Sequence, residues 1–542
     1  MNAPLISREL SNQLLADTDF IAGLTKVLGG NLAKSDTISQ ATNLLWYDLR
    51  PVVQMLYPFK ELIPIVSKLP RVSGDGGNAY HWKRIVGVNV NNVSVGVSEG
   101  NRAARIAITE EDQLANYKTL GLESSATFQA RWGAKNLEPE ALGIAVQSAL
   151  RSLMIGEEQT LILGNASTAL GTTPTPTLIV GTGTGNWGAT VTVYVICVAL
   201  SGLGLQGYTP YSNGSGGVPG LVSKVNADGS VDTFGGGSGR PSSEASLSGV
   251  TATQTVQASV TAVVGAVAYA WYVGTSSGGE TLAAITSSNR AIFSKPGALG
   301  QPVAALQVGG AYQDNSLNTL LFDGILSQIY GSVFGPAPGT PMATNPNLPT
   351  VSTGTLAIAS SGSLVLTMNA GNTGLSIQGM NIAEFDAMFQ AAYDQYKLGF
   401  DRILMSSVDL INSMGAFMGS GDTANVFRTL FEADSVTGRI VAGRRVTSYM
   451  NKVMNKTLDI EVHPYIPPGT IIFWSDRVPY ELAGVQNILE FHVRQDYYQL
   501  QWPLRTMRYE YGVYVDEVLS CYFLPGFAVI TNLNPSTGTQ SF

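Results

Sequence analysis

From Ser167 to about Ser294 charge almost disappears from the sequence. Thr, Val, Gly and Ser dominate there in short β-like runs such as Thr190 to Leu200, Val256 to Val264 and Ala268-Tyr269-Ala270-Trp271-Tyr272-Val273. Helical periodicity lies on both sides of this block, so an all-β unit must sit inside a different kind of body. At 542 residues the chain also exceeds the size at which a single hydrophobic core stops growing, which calls for several domains or for one domain carrying insertions.

Only 13% of the residues are charged while 44% are hydrophobic, with 60 glycines and 25 prolines to make turns. A surface so poor in charge belongs to an obligate oligomer that buries it against partners, or to a β-protein whose neutral surface is simply polar. The net charge of -8 argues against a protein built to grip phosphates, although an acidic or neutral wall is compatible with holding DNA by confinement. Cys197 and Cys521 stand far apart in apolar runs and read as small buried hydrophobes, which excludes a disulfide framework and a multi-cysteine zinc site. The first ten residues lack a signal-peptide pattern, and no apolar run reaches membrane-spanning length, the nearest being Val191 to Leu205. The expected location is therefore a cytoplasm or a particle assembled in one.

Along the chain, Leu10, Leu14, Ile21, Leu24 and Leu28 predict one or two amphipathic helices ended by Gly29-Gly30. An arm punctuated by Pro51, Pro58, Pro64 and Pro70 follows. Asn78 to Gln113 reads as a long two-stranded hairpin, with strands at Tyr80 to Val86 and Arg105 to Thr109. The strongest helix runs from about Pro139 to Leu163, with Leu142, Val146, Ala149 and Leu153 in one stripe and Gly164-Asn165 as its stop. After the charge-poor block, a second turn-rich stretch from Gly335 to Gly374, holding a hairpin from Gly354 to Leu366, reads as a smaller insertion. Ile382 to Lys397 predicts a helix capped by Asn381 and stopped at Leu398-Gly399, with Ile382, Phe385, Phe389 and Tyr393 inward. Arg402 to Met405 is strand-like, Ser407 to Phe417 helical, and the last 100 or so residues alternate strands with turns, which makes the body α+β. The charge-poor block, with a Trp in an alternating run, resembles an immunoglobulin or fibronectin type III sandwich without its disulfide.

Several stretches resemble the shell proteins of tailed bacteriophages of the Hong Kong 97 type. Tyr117-Lys118-Thr119-Leu120-Gly121-Leu122-Glu123, the helix containing Ala149 to Glu158, and Leu161 to Asn165 are similar to that family's hairpin return strand and spine helix. Leu321-Phe322-Asp323-Gly324-Ile325 and Arg402 to Ser407 resemble the rest of its peripheral domain. Val462 to Thr470, Asp496-Tyr497-Tyr498 and Tyr511 to Val518 resemble its axial domain and terminal strand. The resemblance implies an arm over 1–77, an extended hairpin loop over 78–120, spine helix and peripheral domain over 121–171, an inserted sandwich over 172–296, the peripheral domain continued over 297–404 with the small insertion at 335–374, and an axial domain over 405–542. It further implies a non-enzymatic major capsid protein that assembles as pentamers and hexamers around double-stranded DNA, in a virion after assembly in a host cytoplasm. Portal, scaffold and decoration or cement proteins would be its partners, and no cofactor or membrane is implied.

The residues themselves offer little chemistry. His81, His463 and His492 are too few and scattered for a zinc site or a triad. Glu157 and Glu158 are neighbours on a helix and so point about 100° apart, which favours solvent-facing or intersubunit ion pairs over catalytic carboxylates. Gly181-Thr182-Gly183-Thr184-Gly185 lacks the Lys-Ser/Thr ending of a phosphate loop and reads as a turn. Arg439, Arg444 and Arg445 form a modest basic group that fits a neighbour's acidic surface better than nucleic acid. Lys83, Asn89 and Glu99 have the residue types of a shell cross-link, but such residues are common. Candidate assembly contacts are therefore Glu99, Arg102, Arg105, Glu110 and Glu111 on the hairpin, Glu157 and Glu158 on the spine helix, and Arg444 and Arg445. An encapsulin-like nanocompartment shell shares the expected fold. A surface adhesin or tail-associated binding protein would instead call for a secretion signal or repeated sandwiches.

Overall fold

The computed structural model describes residues 60–74, 76–88, 96–102, 108–133, 141–331, 348–372, 374–378, 381–414, 448–482, 485–504 and 506–534. All lie in one compact unit formed by 56–134 together with 141–542. The expected helices over 5–28 and the basic group at 439–445 fall outside the described residues.

In chain order the main elements are β1 (Arg71–Ser73), β2 (Ala79–Val88), β3 (Ile108–Asn116), β4 (Lys118–Thr127) and α1 (Ala141–Leu163). The charge-poor block supplies β5 (Thr177–Gly181), β6 (Val191–Leu200), β7 (Ala245–Val250), β8 (Thr255–Ser259), β9 (Ala268–Gly274), β10 (Thr281–Thr286) and β11 (Arg290–Phe293). Next come α2 (Ile325–Tyr330), β12 (Gly354–Ile358), β13 (Leu364–Met368), α3 (Ala383–Tyr396) and β14 (Arg402–Met405). The chain closes with β15 (Ser448–Asn451), β16 (Lys456–Val462), β17 (Ile471–Trp474), β18 (Leu489–Gln501), β19 (Arg508–Cys521) and β20 (Phe527–Thr531). The architecture is mixed α+β and rich in strands. No helix among the described residues is long and apolar enough to cross a membrane.

A seven-stranded sheet runs β12-β13-β20-β17-β14-β16-β15, parallel at β13/β20 and β14/β16. Its central strands β13, β20, β17 and β14 are largely apolar because both faces are covered. Ile403, Met405, Ile471, Phe473, Ala528 and Ile530 point to one side, against Phe385, Met388 and Phe389 of α3. Leu404, Ile472, Trp474, Phe527 and Val529 point to the other and share a core with Ile325, Leu326 and Ile329 of α2. The hairpin expected inside a small insertion is β12 and β13, the edge of this sheet. Leu364, Leu366 and Met368 face α3 while Val365 faces the opposite core, so the hairpin belongs to the body and not to a separate unit.

The helix α3 differs in detail from its expectation. Ile382, not Asn381, holds the cap position and gives no side-chain bond. The first turn is anchored instead by buried Glu384, whose carboxylate accepts from Ser376 N (3.0 and 2.9 Å) and the Thr353 hydroxyl (2.6 Å). Lys397, left-handed at φ 56°, ends the helix where a glycine is usual. Tyr393 is exposed, with the Lys397 ammonium 5.1 Å from its ring centre.

A four-stranded sheet runs β1-β18-β19-β4, and α1 packs against β4 and β19. The helix spans Ala141 to Leu163, close to the predicted Pro139 to Leu163, with Ala149 and Leu153 buried among Leu120, Val513 and Val515. On this sheet the Tyr514 ring lies across the strands over Gly121 and Gly512. A methyl group at Gly121 would overlap the ring, and the Tyr514 hydroxyl donates to Glu123 at 2.6 Å.

The charge-poor block is a two-sheet sandwich, β7-β6-β9-β10 over β11-β8-β5. Val193, Val195, Cys197, Trp271, Val256 and Phe293 form its core, and Trp271 Nε1 donates to Thr286 Oγ1 at 2.8 Å. The order of the larger sheet is third-second-fifth-sixth in the chain order of the seven strands, whereas the immunoglobulin constant domain runs first-second-fifth-fourth. The unit also continues past residue 296. Val303 and Leu306 cover the outer face of β6 and β9, Gln301 brackets Val218, and Gly235 N bonds to Leu317 O at 3.0 Å. Sequence composition missed this because residues 297–317 close a core whose other walls include Ile196, Val198 and Leu200, some 100 positions earlier. Asn315 N, bonded to Ser238 O, and Gly171 N, bonded to Asp314, bring the two ends of the unit together.

Excising 172–294 should therefore leave residues 301–317 without partners and give an insoluble chain. Excising about 172–313 should leave a soluble body with native secondary structure by circular dichroism. Equal solubility of the two deletions would contradict the wider boundary.

Candidate functional site

Neighbouring glutamates on a helix diverge, and Glu157 and Glu158 of α1 use that divergence inward. Both are fully buried, which corrects the solvent-facing expectation. The apolar sequence around them hides the signal, since their partners come from segments far away in the chain. Glu158 accepts the backbone N–H groups of Ile65 (3.0 Å) and Val66 (2.7 Å), just ahead of β1. It also meets His463 Nε2 at 2.7 Å, in the loop after β16. Tyr465 N donates to His463 Nδ1 at 3.2 Å, which leaves Nε2 as the protonated nitrogen and makes the imidazole a donor to the carboxylate.

Glu157 turns toward Arg71 at the start of β1. The guanidinium contacts Glu157, Glu517 of β19 (3.1 Å), the Tyr497 hydroxyl (2.7 Å) and the more exposed Asp496 (3.2 Å). It lies 4.5 Å from the Tyr497 ring centre and 5.2 Å from that of Phe491, so its faces are stacked as well as its edge paired. The Tyr497 hydroxyl also donates to Glu157. One guanidinium thus faces two fully buried carboxyls. Burial, then the neighbouring Glu157 charge, push the Glu517 carboxyl well above the ordinary range, and burial raises Glu157 despite Arg71. Both carboxyls are therefore held toward the protonated form, Glu517 the more strongly.

The hairpin β2/β3 springs from beside this clasp. Its two strands form a separate sheet, paired from Ala79↔Asn116 to Val88↔Ile108. The second strand is 108–116, later than the expected 105–109, with a register shift between Ile85 and Gly87. At its base Tyr80 stacks on His492 of β18 with ring centres 3.6 Å apart. The Tyr522 hydroxyl completes the group, 3.2 Å from Tyr80 Oη and 2.9 Å from His492 Nε2. Burial lowers the His492 pKa, which keeps this imidazole neutral in the stack. Farther out, His81, Lys83, Asp112 and Leu114 are exposed.

Of the remaining predicted contacts, Glu99 and Arg102, in the stretch between β2 and β3, are exposed. Glu110 and Glu111 register opposite Ile85 and Arg84 in the backbone ladder, and their side chains lie outside the described residues. Arg105, Asn89, Arg444 and Arg445 also lie outside. Cys197 and Cys521 are buried thiols outside any disulfide, and the segment after Gly181 is a turn, as expected. Among the described residues no three His, Cys, Asp or Glu side chains are grouped to hold a metal. Sequence reasoning missed the exposed Trp132, Leu504 and Met507. Phe128 N bonds to Met507 O at 3.2 Å, which joins the helix carrying Trp132 to the start of β19.

No family model and no curated protein matches the chain. Solved structures similar to it include the capsid of a native GTA particle, 7% identical over 90% of this chain and 95% of that one, with a TM-score of 0.40. The capsid of cyanophage A-1(L) is 10% identical over 92% and 99%, also at 0.40. The holo-SrpI encapsulin of Synechococcus elongatus PCC 7942 is 8% identical over 94% and 98%, at 0.31.

Replacing Arg71 by Met should destabilise the chain by about 3–5 kcal/mol, because Glu157 and Glu517 lose their shared counter-charge while still buried. Glu517→Gln should be tolerated. The folded chain holds the Glu517 proton more tightly than the unfolded chain does. Its stabilisation is therefore complete below pH 4.5 and is lost as pH rises through the folded-state value. Denaturant midpoints measured across pH should fall less steeply above pH 4.5 in Glu517→Gln than in the parent. Parallel profiles would show that Glu517 is ionised in the fold.

Proposed function

We propose that this chain is a major capsid protein, a shell subunit that assembles as pentamers and hexamers into an icosahedral phage head around double-stranded DNA. The observation that carries the reading is the hairpin β2/β3. It has ten- and nine-residue strands that pair only with each other among the described residues, and its base is fixed by the stack of Tyr80 on His492. A two-stranded ribbon is marginal in water without a further covering surface. A rigid base below two strands that no third strand joins fits a ribbon whose support is the next subunit. The low charge content and the exposed Trp132, Leu504 and Met507 agree with extensive burial between copies.

In this reading the expected boundary at 404/405 is replaced: α1 and the four-stranded sheet, with β18 and β19, form the peripheral domain, and the seven-stranded sheet, with β12, β13 and β14, belongs to the axial region. The sandwich is an inserted unit. DNA is retained by confinement, as suits a net charge of -8. Portal, scaffold and decoration proteins are the expected partners, and the host cytoplasm is the expected place of assembly. Glu99 and Arg102, exposed on the hairpin, are proposed to set register between neighbours through screened ion pairs more than to supply affinity.

Trimming the hairpin to Ala79–Trp82 and Gln113–Asn116 keeps the aromatic base, and the bond from Tyr117 N to Asn78 O (3.1 Å) holds its two ends together. The trimmed chain should stay folded and sediment as small species under conditions in which the parent forms fast-sedimenting shells. Normal shells from the trimmed chain would remove the hairpin from assembly, and a parent that stays monomeric across protein and salt concentration would refute the capsid reading. DNA in particles from infected cells, as against enclosed protein cargo, separates a phage head from a nanocompartment.

A further inference from the structure

Where the sandwich meets the seven-stranded sheet there is a cavity of about 30 Å³. Tyr269 of β9 and the loop around Val264 wall it on the sandwich side. Tyr330 at the end of α2, Thr367 of β13 and Thr531 of β20 wall it on the body side. Both tyrosines are buried, and burial raises both phenols far above their ordinary value, so each keeps its O–H.

Among the described residues the Tyr330 hydroxyl makes no well-formed hydrogen bond, although the Thr531 hydroxyl lies beside it in the cavity wall. The Tyr269 oxygen accepts from Val263 N at 2.9 Å, which uses an acceptor site and leaves its own proton in need of an acceptor. A space lined by hydroxyl groups, and larger than the roughly 10–15 Å³ that one water requires, is the setting in which native proteins hold buried water. An apolar cavity of this size would stay dry, but this one is lined by two phenols and two threonines.

We infer that the cavity is a binding site for water, with one molecule bridging Tyr269 of the inserted sandwich to Tyr330 of the body. The water accepts the Tyr269 and Tyr330 protons, and it is part of the joint between the two. This inference does not depend on the capsid reading, since it concerns the seating of the sandwich in a single chain.

The test turns on the sign of one substitution. Tyr330→Phe removes a single oxygen and preserves the ring. If the cavity holds water, the variant deprives that water of a partner and the thermal midpoint of the full chain falls. If the cavity is dry, the variant removes an unsatisfied buried hydroxyl and the midpoint rises. A density map of the parent chain, fine enough to show other buried waters, provides the second measurement. The expected result is a lowered midpoint with a discrete peak roughly 2.6–3.2 Å from Tyr330 Oη. An unchanged or raised midpoint, or the lack of a peak there, overturns the proposal.

Discussion

The placement of two adjacent carboxylates in the interior of α1 is the constraint on which the rest of the body depends. Glu158 receives the chain at Ile65 and Val66 and the loop at His463, while Glu157 receives Arg71. Through Arg71 the same helix is tied to Tyr497 of β18 and Glu517 of β19. Four segments from separate parts of the sequence are thus fixed to one helical turn. Buried ion pairs add little net stability compared with apolar packing, but a one-guanidinium, two-carboxyl group tolerates few alternative arrangements. It specifies where β1 enters the sheet, and β1 leads directly to the hairpin. The direction in which the hairpin leaves the body is accordingly set by an interaction well inside it.

The structure also explains how so uncharged a sequence folds. Sheets covered on both faces need apolar residues at most strand positions, and the described residues contain two of them. One is the central seven-stranded sheet. The other is the sandwich sheet containing β6 and β9, where Val198, Ala270 and Tyr272 pack outward against 301–306 while Cys197, Tyr269 and Trp271 pack inward. Polar ties then seat the sandwich. Asn289 N donates to Asn532 Oδ1 (2.5 Å), and Asn532 Nδ2 returns a bond to Asn289 Oδ1 (2.7 Å). The sandwich is therefore fastened to the end of β20, the last described strand, as well as to the chain that enters it.

Local signals were legible in the sequence, and long-range ones were not. The stripe containing Ala149 and Leu153, the strand-like run at 402–405 and the loss of charge after Ser167 each follow from a period or composition within a short window, and each corresponds to an observed element. The misreadings share one cause. Glu157 and Glu158 look like surface residues until Arg71 and His463 are brought to them. The hairpin β12/β13 looks like an insertion until β20 pairs with it, and residues 297–317 look like body until Val303 and Leu306 close the sandwich. Strand order in the sandwich has no local signature either, because any pairing of seven short β-branched strands satisfies the same alternation.

The central claim is that the hairpin β2/β3 is completed by another copy of the chain. Electron cryomicroscopy of the protein expressed alone tests this most directly, because it images the hairpin and its surroundings together. The account predicts closed shells tens of nanometres across in which the outer half of each hairpin lies on the neighbouring subunit. Particles with hairpins that touch no neighbour, or a field of dispersed monomers, would contradict it.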